Sequence, residues 1–153
     1  MGSIVDRLAE LGHALPPVAP PAGAYIPAVV TGSLVHTAGQ LPFVDGSLPV
    51  TGKVGAEVPP EGAAELAATA ALNALAAAEA AIGSLDRVTR VVKATVFVAS
   101  APSFTAQPAV ANGASNLLGE VFGEAGKHAR SAVGVAVLPL DSPVEVELIL
   151  EFA

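Results

Sequence analysis

Few residues in this 153-residue chain have types and spacings that could do chemistry. There is no cysteine, which removes disulfides, thiolate nucleophiles and cysteine-held zinc together. His13, His36 and His128 stand far apart without paired metal-ligand spacing, so no metal is expected. No G-x-S-x-G or G-x-x-x-x-G-K-[ST] run occurs, which leaves serine-hydrolase and P-loop readings without support. What remains centres on one arginine and two glutamates. Arg130, in His128-Ala129-Arg130-Ser131-Ala132-Val133, stands just before an apolar strand. A guanidinium there can hold a carboxylate by two parallel hydrogen bonds, although the commoner role of a strand-edge arginine is a surface or salt-bridging one. Glu145 and Glu147 lie two apart and so share one strand face with Ile149. A carboxylate there could orient water or accept a proton, or the face could simply meet solvent. Ile149 hints that this face is partly covered, by another subunit. Tyr25, the single tyrosine, could offer its hydroxyl to a ligand or pack at a rim. Gly39 and Gly113 suit turns or close approaches, and Asn112 before Gly113 could cap or turn the chain.

Charge and composition narrow the function classes. The formal net charge is −7, and no cluster of Lys or Arg supplies the basic footprint that phosphate binding needs. Nucleic acid is therefore not expected as a partner. The N-terminus has no long apolar run after a basic start, which argues against a secretory signal. The Ala-rich stretch 63–82 approaches membrane-spanning length but carries Glu65, Asn73 and Glu79, and reads as a helix of a soluble, cytoplasmic protein without membrane contact. Length and a 52% hydrophobic content fit a single domain over 1–153 with a sizeable core.

The elements that must position these residues follow from periodicity. Ile4, Val5, Leu8 and Leu11 predict a short amphipathic helix ended by Gly12, followed by a proline-rich arm; together they occupy 1–22. Residues 25–30 and 34–38 flank Thr31-Gly32-Ser33 as a β-hairpin. Residues 43–58, with several glycines and with Pro59-Pro60 just after them, read as loop with room for one short strand. Residues 61–82 predict the clearest helix, with Ala64, Ala68, Ala71, Leu72, Leu75, Ala78 and Ile82 as its apolar stripe and Gly83 as its stop. A strand over 88–98, β-branched and alternating and so expected to be central in the sheet, precedes a second helix over 108–122 with Val110, Ala114, Leu117, Leu118 and Val121 inward. Strands over 131–138 and 144–152 complete the chain. This order predicts an α+β layer: a sheet with two main helices on one face and an extra N-terminal helix.

Three segments in this order resemble the RidA (YjgF-like) family. They are Thr37-Ala38-Gly39-Gln40-Leu41-Pro42; Ser84-Leu85-Asp86-Arg87-Val88 with Val92-Lys93-Ala94-Thr95-Val96-Phe97-Val98; and Arg130-Ser131-x-Val133-x-Val135-Ala136-x-Leu138-Pro139 with Val144-Glu145-Val146-Glu147. The resemblance implies a chorismate-mutase-like fold, a homotrimer with sites in the clefts between subunits, and hydrolysis of 2-imino or enamino acids to 2-oxo acids and ammonia. It makes Arg130 the residue that grips the substrate carboxylate and Glu145 the one that positions water. Tyr25, Gly39 as a backbone donor, and Asn112 join them on the substrate. A small carboxylate metabolite is the implied partner, and no cofactor is needed, because an imine carbon is already electrophilic. The alternative is a non-catalytic trimeric module that binds such a metabolite through Arg130. A ribonuclease or translation-inhibitor role, also attached to this family, conflicts with the acidic charge. His128 and Ala132 stand where close deaminases carry proline and cysteine, and the N-terminal arm and the Gln107–Asn112 region are additional.

Overall fold

A computed structural model describes residues 2–153; Met1 lies outside them. Helix α1 (Ile4–Glu10) opens on Ser3, whose hydroxyl accepts from Asp6 N–H while the Asp6 carboxylate accepts from Ser3 N–H. This reciprocal cap satisfies donors that a seven-residue helix would otherwise leave to solvent. Arg7 Nε donates to the Glu120 carbonyl, Ile4 N–H donates to Asp86 Oδ1, and Leu8 is fully buried. The N-terminal extension is therefore docked onto the body of the protein. Strands β1 (Ala28–Thr31) and β2 (Leu34–Thr37) form the expected hairpin, with a positive φ at Gly32, the first of its two loop residues. The hairpin starts later than its β-rich composition suggested. Pro27 has no N–H to give a ladder; its carbonyl instead accepts from Ala38 N–H and closes the hairpin.

Helix α2 (Pro60–Ile82), strand β3 (Val88–Ala99), helix α3 (Gln107–Phe122), and strands β4 (Ala129–Val135) and β5 (Val144–Phe152) complete the architecture. The sheet order is β1-β2-β5-β3-β4, antiparallel except for the β3–β4 pair, which is parallel. Both long helices cover one face of this sheet. Val91, Ala94, Val96 and Val98 of β3 alternate into it, as do Val144, Val146, Leu148 and Leu150 of β5. The five inward positions expected on α3 are all buried. On α2 the expected stripe was too narrow: Ala64, Ala68 and Leu72 are only partly buried, whereas Ala63, Leu66, Ala67, Ala70 and Ala74 are buried. The helix is covered on two sides, by the sheet and by α3, so its apolar arc is wide. Gly113 explains how α3 comes so close, because a Cβ there would lie 1.8 Å from the Ala64 carbonyl oxygen. Among the described residues, α2 is the one helix long and apolar enough to cross a membrane, and 61% of its most apolar window is buried inside the protein.

Candidate functional site

The proposed anchor lies within β4. The strand spans Ala129–Val135, starting two residues earlier than expected and stopping at Val135, because it pairs with β3 from Lys93 to Ala99 and ends where that partner ends. Arg130 is therefore inside the strand. It is in register with Ala94, a buried residue on the helix-covered face, and reaches α3 on that side. Arg130 Nη1 donates to Asn112 Oδ1 at 2.7 Å and to Ser115 Oγ at 3.2 Å. Asn112 forms neither a turn nor a cap: the additional Gln107–Asn112 residues build the first turns of α3, which Pro108 suits by its fixed φ. Asn112 and Ser115 are three apart on one helix face, so both oxygens point at the same guanidinium. Neither carries charge. The three ion pairs among the described residues join Arg7 to Glu10, Lys53 to Asp141 and Lys127 to Glu124, so Arg130 has no carboxylate of its own.

Ser115 and His128 were missing from the site expected from sequence. His128 Nδ1 lies 2.6 Å from the Gly126 carbonyl, which can only accept, so Nδ1 carries a proton. In the neutral ring, Nε2 then accepts from the Ser115 hydroxyl at 2.9 Å. The chain of hydrogen bonds runs from Arg130 through Ser115 and His128 to Gly126, and fixes the direction in which the guanidinium fork points. The i, i+3 spacing of Asn112 and Ser115 was the one sequence signal for this arrangement.

Glu145 lies on the other side of the sheet. It is in register with Phe97, on the face that carries Glu147 and Ile149 and that no helix covers. It is half-buried against Gly39: a Cβ at Gly39 would stand 2.0 Å from Glu145 Oε1. A β-bulge makes this contact. Between the His36–Ile149 pair and the Gln40–Val146 bridge, the β2 side advances four residues while β5 advances three. The Gly39 N–H donates no hydrogen bond among the described residues. Burial foremost, and the neighbouring Glu147 carboxylate second, raise the Glu145 pKa above the usual carboxylate value. Tyr25 precedes β1, is half-exposed, and accepts from Ala22 N–H at 3.2 Å through its hydroxyl.

Two half-sites result. Arg130 and Asn112 meet on the helix-covered side at the edge strand, and Gly39 and Glu145 meet on the open face. One chain does not bring the two halves together, because the sheet separates them.

Comparison with known proteins agrees with this architecture. Residues 5–152 match the family described as "YjgF/chorismate_mutase-like, putative endoribonuclease". Protein TCP17 of Trypanosoma cruzi is 47% identical over 98% of this chain and 94% of its own length. The crystal structure of Atu1372 from Agrobacterium tumefaciens, described as of unknown function, superposes with a TM-score of 0.92 at 45% identity, covering 98% of this chain and 92% of that one. E. coli TdcF, solved with bound serine, superposes with a TM-score of 0.62 at 28% identity over 91% of this chain and 94% of its own.

Proposed function

The chain belongs to the YjgF/chorismate-mutase-like family, and on that footing we propose that it hydrolyses 2-imino or enamino acids to 2-oxo acids and ammonia at clefts between the subunits of a homotrimer. Each 1–153 chain acts as one such domain in the cytoplasm. The observation that carries the reading is Arg130: a positioned guanidinium in an acidic protein, held only by neutral oxygens, is ready for a ligand carboxylate. TdcF, whose structure holds serine, offers a precedent for a small carboxylate in this fold.

The chemistry divides between the two half-sites. Arg130 of one subunit grips the carboxylate and places the C=N carbon over the open face of a neighbour. There Glu145 takes a proton from a water as its oxygen attacks that carbon, forming a tetrahedral carbinolamine. That proton passes to nitrogen, Glu145 then carries the carbinolamine hydroxyl's proton to the same nitrogen, the C–N bond breaks, ammonia leaves, and the electrons of the O–H bond form the C=O of the oxo acid, so both protons of the water end on ammonia. Gly39 N–H is free to donate to substrate, and Asn112 holds Arg130 in place. A carboxylate with a raised pKa is the better base for this step near neutral pH.

The test generates 2-iminobutyrate and 2-iminopropionate in situ with a dehydratase or an oxidase and follows oxo-acid release with and without the protein. The opposite-face geometry adds a sharper version. Arg130→Ala and Glu145→Gln chains are each expected to be inactive alone. After equal mixing, unfolding and reassembly, about a quarter of the interfaces in a cyclic assembly combine an intact Arg130 with an intact Glu145. About a quarter of wild-type activity should return. No recovery in demonstrably mixed trimers would place both residues in one chain's site and sink the proposal. If wild type releases no oxo acid faster than buffer, but 2-oxobutyrate binding is lost in Arg130→Ala, the protein is a non-catalytic carboxylate-binding module.

A further inference from the structure

A cavity of about 820 Å³ lies between the N-terminal arm and α2 and shares no lining residue with the two half-sites. The arm from Gly12 to Ala22 forms one wall, the tight turn at Asp45-Gly46 forms another, and Thr69, Leu72 and Asn73 of α2 form the floor. We propose that this cavity is a second small-molecule site, for an apolar molecule that carries a protonated amine.

The walls are preformed. Pro16, Pro17 and Pro20 hold the arm extended, and the docked α1 fixes its start. The turn at Val44–Ser47 has positive φ at both central residues, Asp45 and Gly46, and two backbone hydrogen bonds between Val44 and Ser47 close it. Little ordering cost is left for a ligand to meet. The volume falls in the range of small-molecule sites, about 300–1,000 Å³, and the lining is mainly apolar.

The polar groups select the ligand. Asn73 is 3% exposed, and its Nδ2 donates to the carbonyls of Leu41 and Phe43 at 3.0 and 3.2 Å. Those two carbonyls can only accept, so the amide orientation is fixed and Oδ1 is the atom left over. Oδ1 accepts no hydrogen bond yet is not fully enclosed; Asn73 lines the cavity, which is where that acceptor can meet a ligand. Thr69 spends its proton on the Glu65 carbonyl and offers only lone pairs. Asp45 is the one formally charged side chain in the lining, and no Lys or Arg accompanies it. His13 alone could donate as well as accept. A ligand that brings several donors and a positive charge matches this set, whereas a carboxylate would face Asp45 and unmatched acceptors. The Arg130 half-site has the opposite preference, so the two can be told apart by ligand charge.

The probes are tryptamine, tryptophol and indole-3-acetate, which share a ring and differ in the terminal group. Titrations of ¹⁵N-labelled full-length protein should show tryptamine shifting amides of Gly12–Ala22 and Val44–Gly46, tryptophol shifting them more weakly, and indole-3-acetate leaving them unmoved. Asp45→Asn should weaken tryptamine about three- to fivefold, the scale of one solvent-accessible ion pair, and leave tryptophol within twofold. Thr69→Phe, which fills the floor, should abolish both; a thermal melt matching wild type shows that it folds. Arg130→Ala should leave tryptamine binding unchanged, which separates this site from imine chemistry. Equal binding of all three probes at these amides, shifts confined to other regions, or full tryptamine affinity in folded Thr69→Phe would each overturn the proposal.

Discussion

Gly39→Ala tests the open half-site with the smallest possible change. The added methyl would stand 2.0 Å from Glu145 Oε1, 2.8 Å from Cδ and 3.1 Å from Cγ. Ordinary van der Waals contact begins at 3.4 Å, so the oxygen must retreat by about 1.4 Å. It can do so, because the obstacle is the far end of a flexible side chain and not backbone. Gly39 does not have a positive φ, so alanine fits the local backbone. Replacing glycine at a compatible position stabilises by about 0.4–1 kcal/mol through the unfolded chain, which offsets part of the repacking cost. The expected result is a melting temperature close to wild type with a steep loss of turnover. A displacement of about 1 Å at a reacting group can cost about 100-fold, and that is the loss expected in kcat for imine hydrolysis. The assay pairs oxo-acid release with 2-oxobutyrate binding, which should weaken less, because Arg130 supplies most of it. A folded Gly39→Ala protein with kcat within threefold of wild type would show that the Glu145 position is irrelevant to the chemistry.

Arg130→Lys should fail to rescue 2-oxo-acid binding lost in Arg130→Ala, since an ammonium lacks the bidentate fork; equal calorimetric affinities in all three proteins would remove Arg130 as the anchor. Because the Glu145 pKa is raised in the folded protein, the fold is favoured by its protonated form below the ordinary glutamate pKa of about 4.3, and that contribution is lost as pH rises through the raised value. Glu145→Gln should therefore match or exceed wild-type stability at neutral pH in denaturant titrations, gain nothing at low pH, and lose about 100-fold or more in turnover; the wild-type rate should fall as pH drops through the same raised value. Glu147→Gln should act mildly, and it should lower the midpoint of that rate profile by removing the charge that helps raise the Glu145 pKa. Gly113→Ala places a methyl 1.8 Å from the backbone oxygen of Ala64, which cannot swing away, and should cost about 1–3 kcal/mol or more in chemical denaturation.

Where periodicity was strong, the sequence predicted the elements well. The inward set of α3 and the alternation of β5 both appear as read, because a helix on one face of a sheet imposes a single pattern on each. The errors have physical sources. The α2 stripe came out too narrow because alanine is small and weakly apolar, so an Ala-rich helix packs on nearly any side that a neighbour offers. The β4 limits were misplaced because the pairing with β3, not composition, sets them. Asn112 looked like a cap or turn residue because asparagine favours those positions, yet here it sits inside α3 with its oxygen on a guanidinium.

The arrangement of the site posed a different kind of problem. Strict alternation put Glu145 on the face opposite Val144 and Val146, so its side of the sheet could be read directly. Arg130 offered no such cue, because β4 is an edge strand whose burial does not alternate, and its side is revealed by its register with Ala94 and its contacts with Asn112 and Ser115. Once both sides are known, the sheet itself becomes an argument. The proposed base on one face and the proposed carboxylate anchor on the other cannot serve one substrate within a chain, but they can serve it across an interface. The open face supports that interface independently: Phe97 and Ile149 remain only partly buried and Val133 exposed there, on a surface that also carries Glu145. Covering those side chains with a neighbour would remove apolar surface from water and also deepen the burial that raises the Glu145 pKa. Assembly and completion of the site would then be one event: dilution to monomers should lower the rate by separating the half-sites, while the rate-profile midpoint of the remaining assemblies stays where it was.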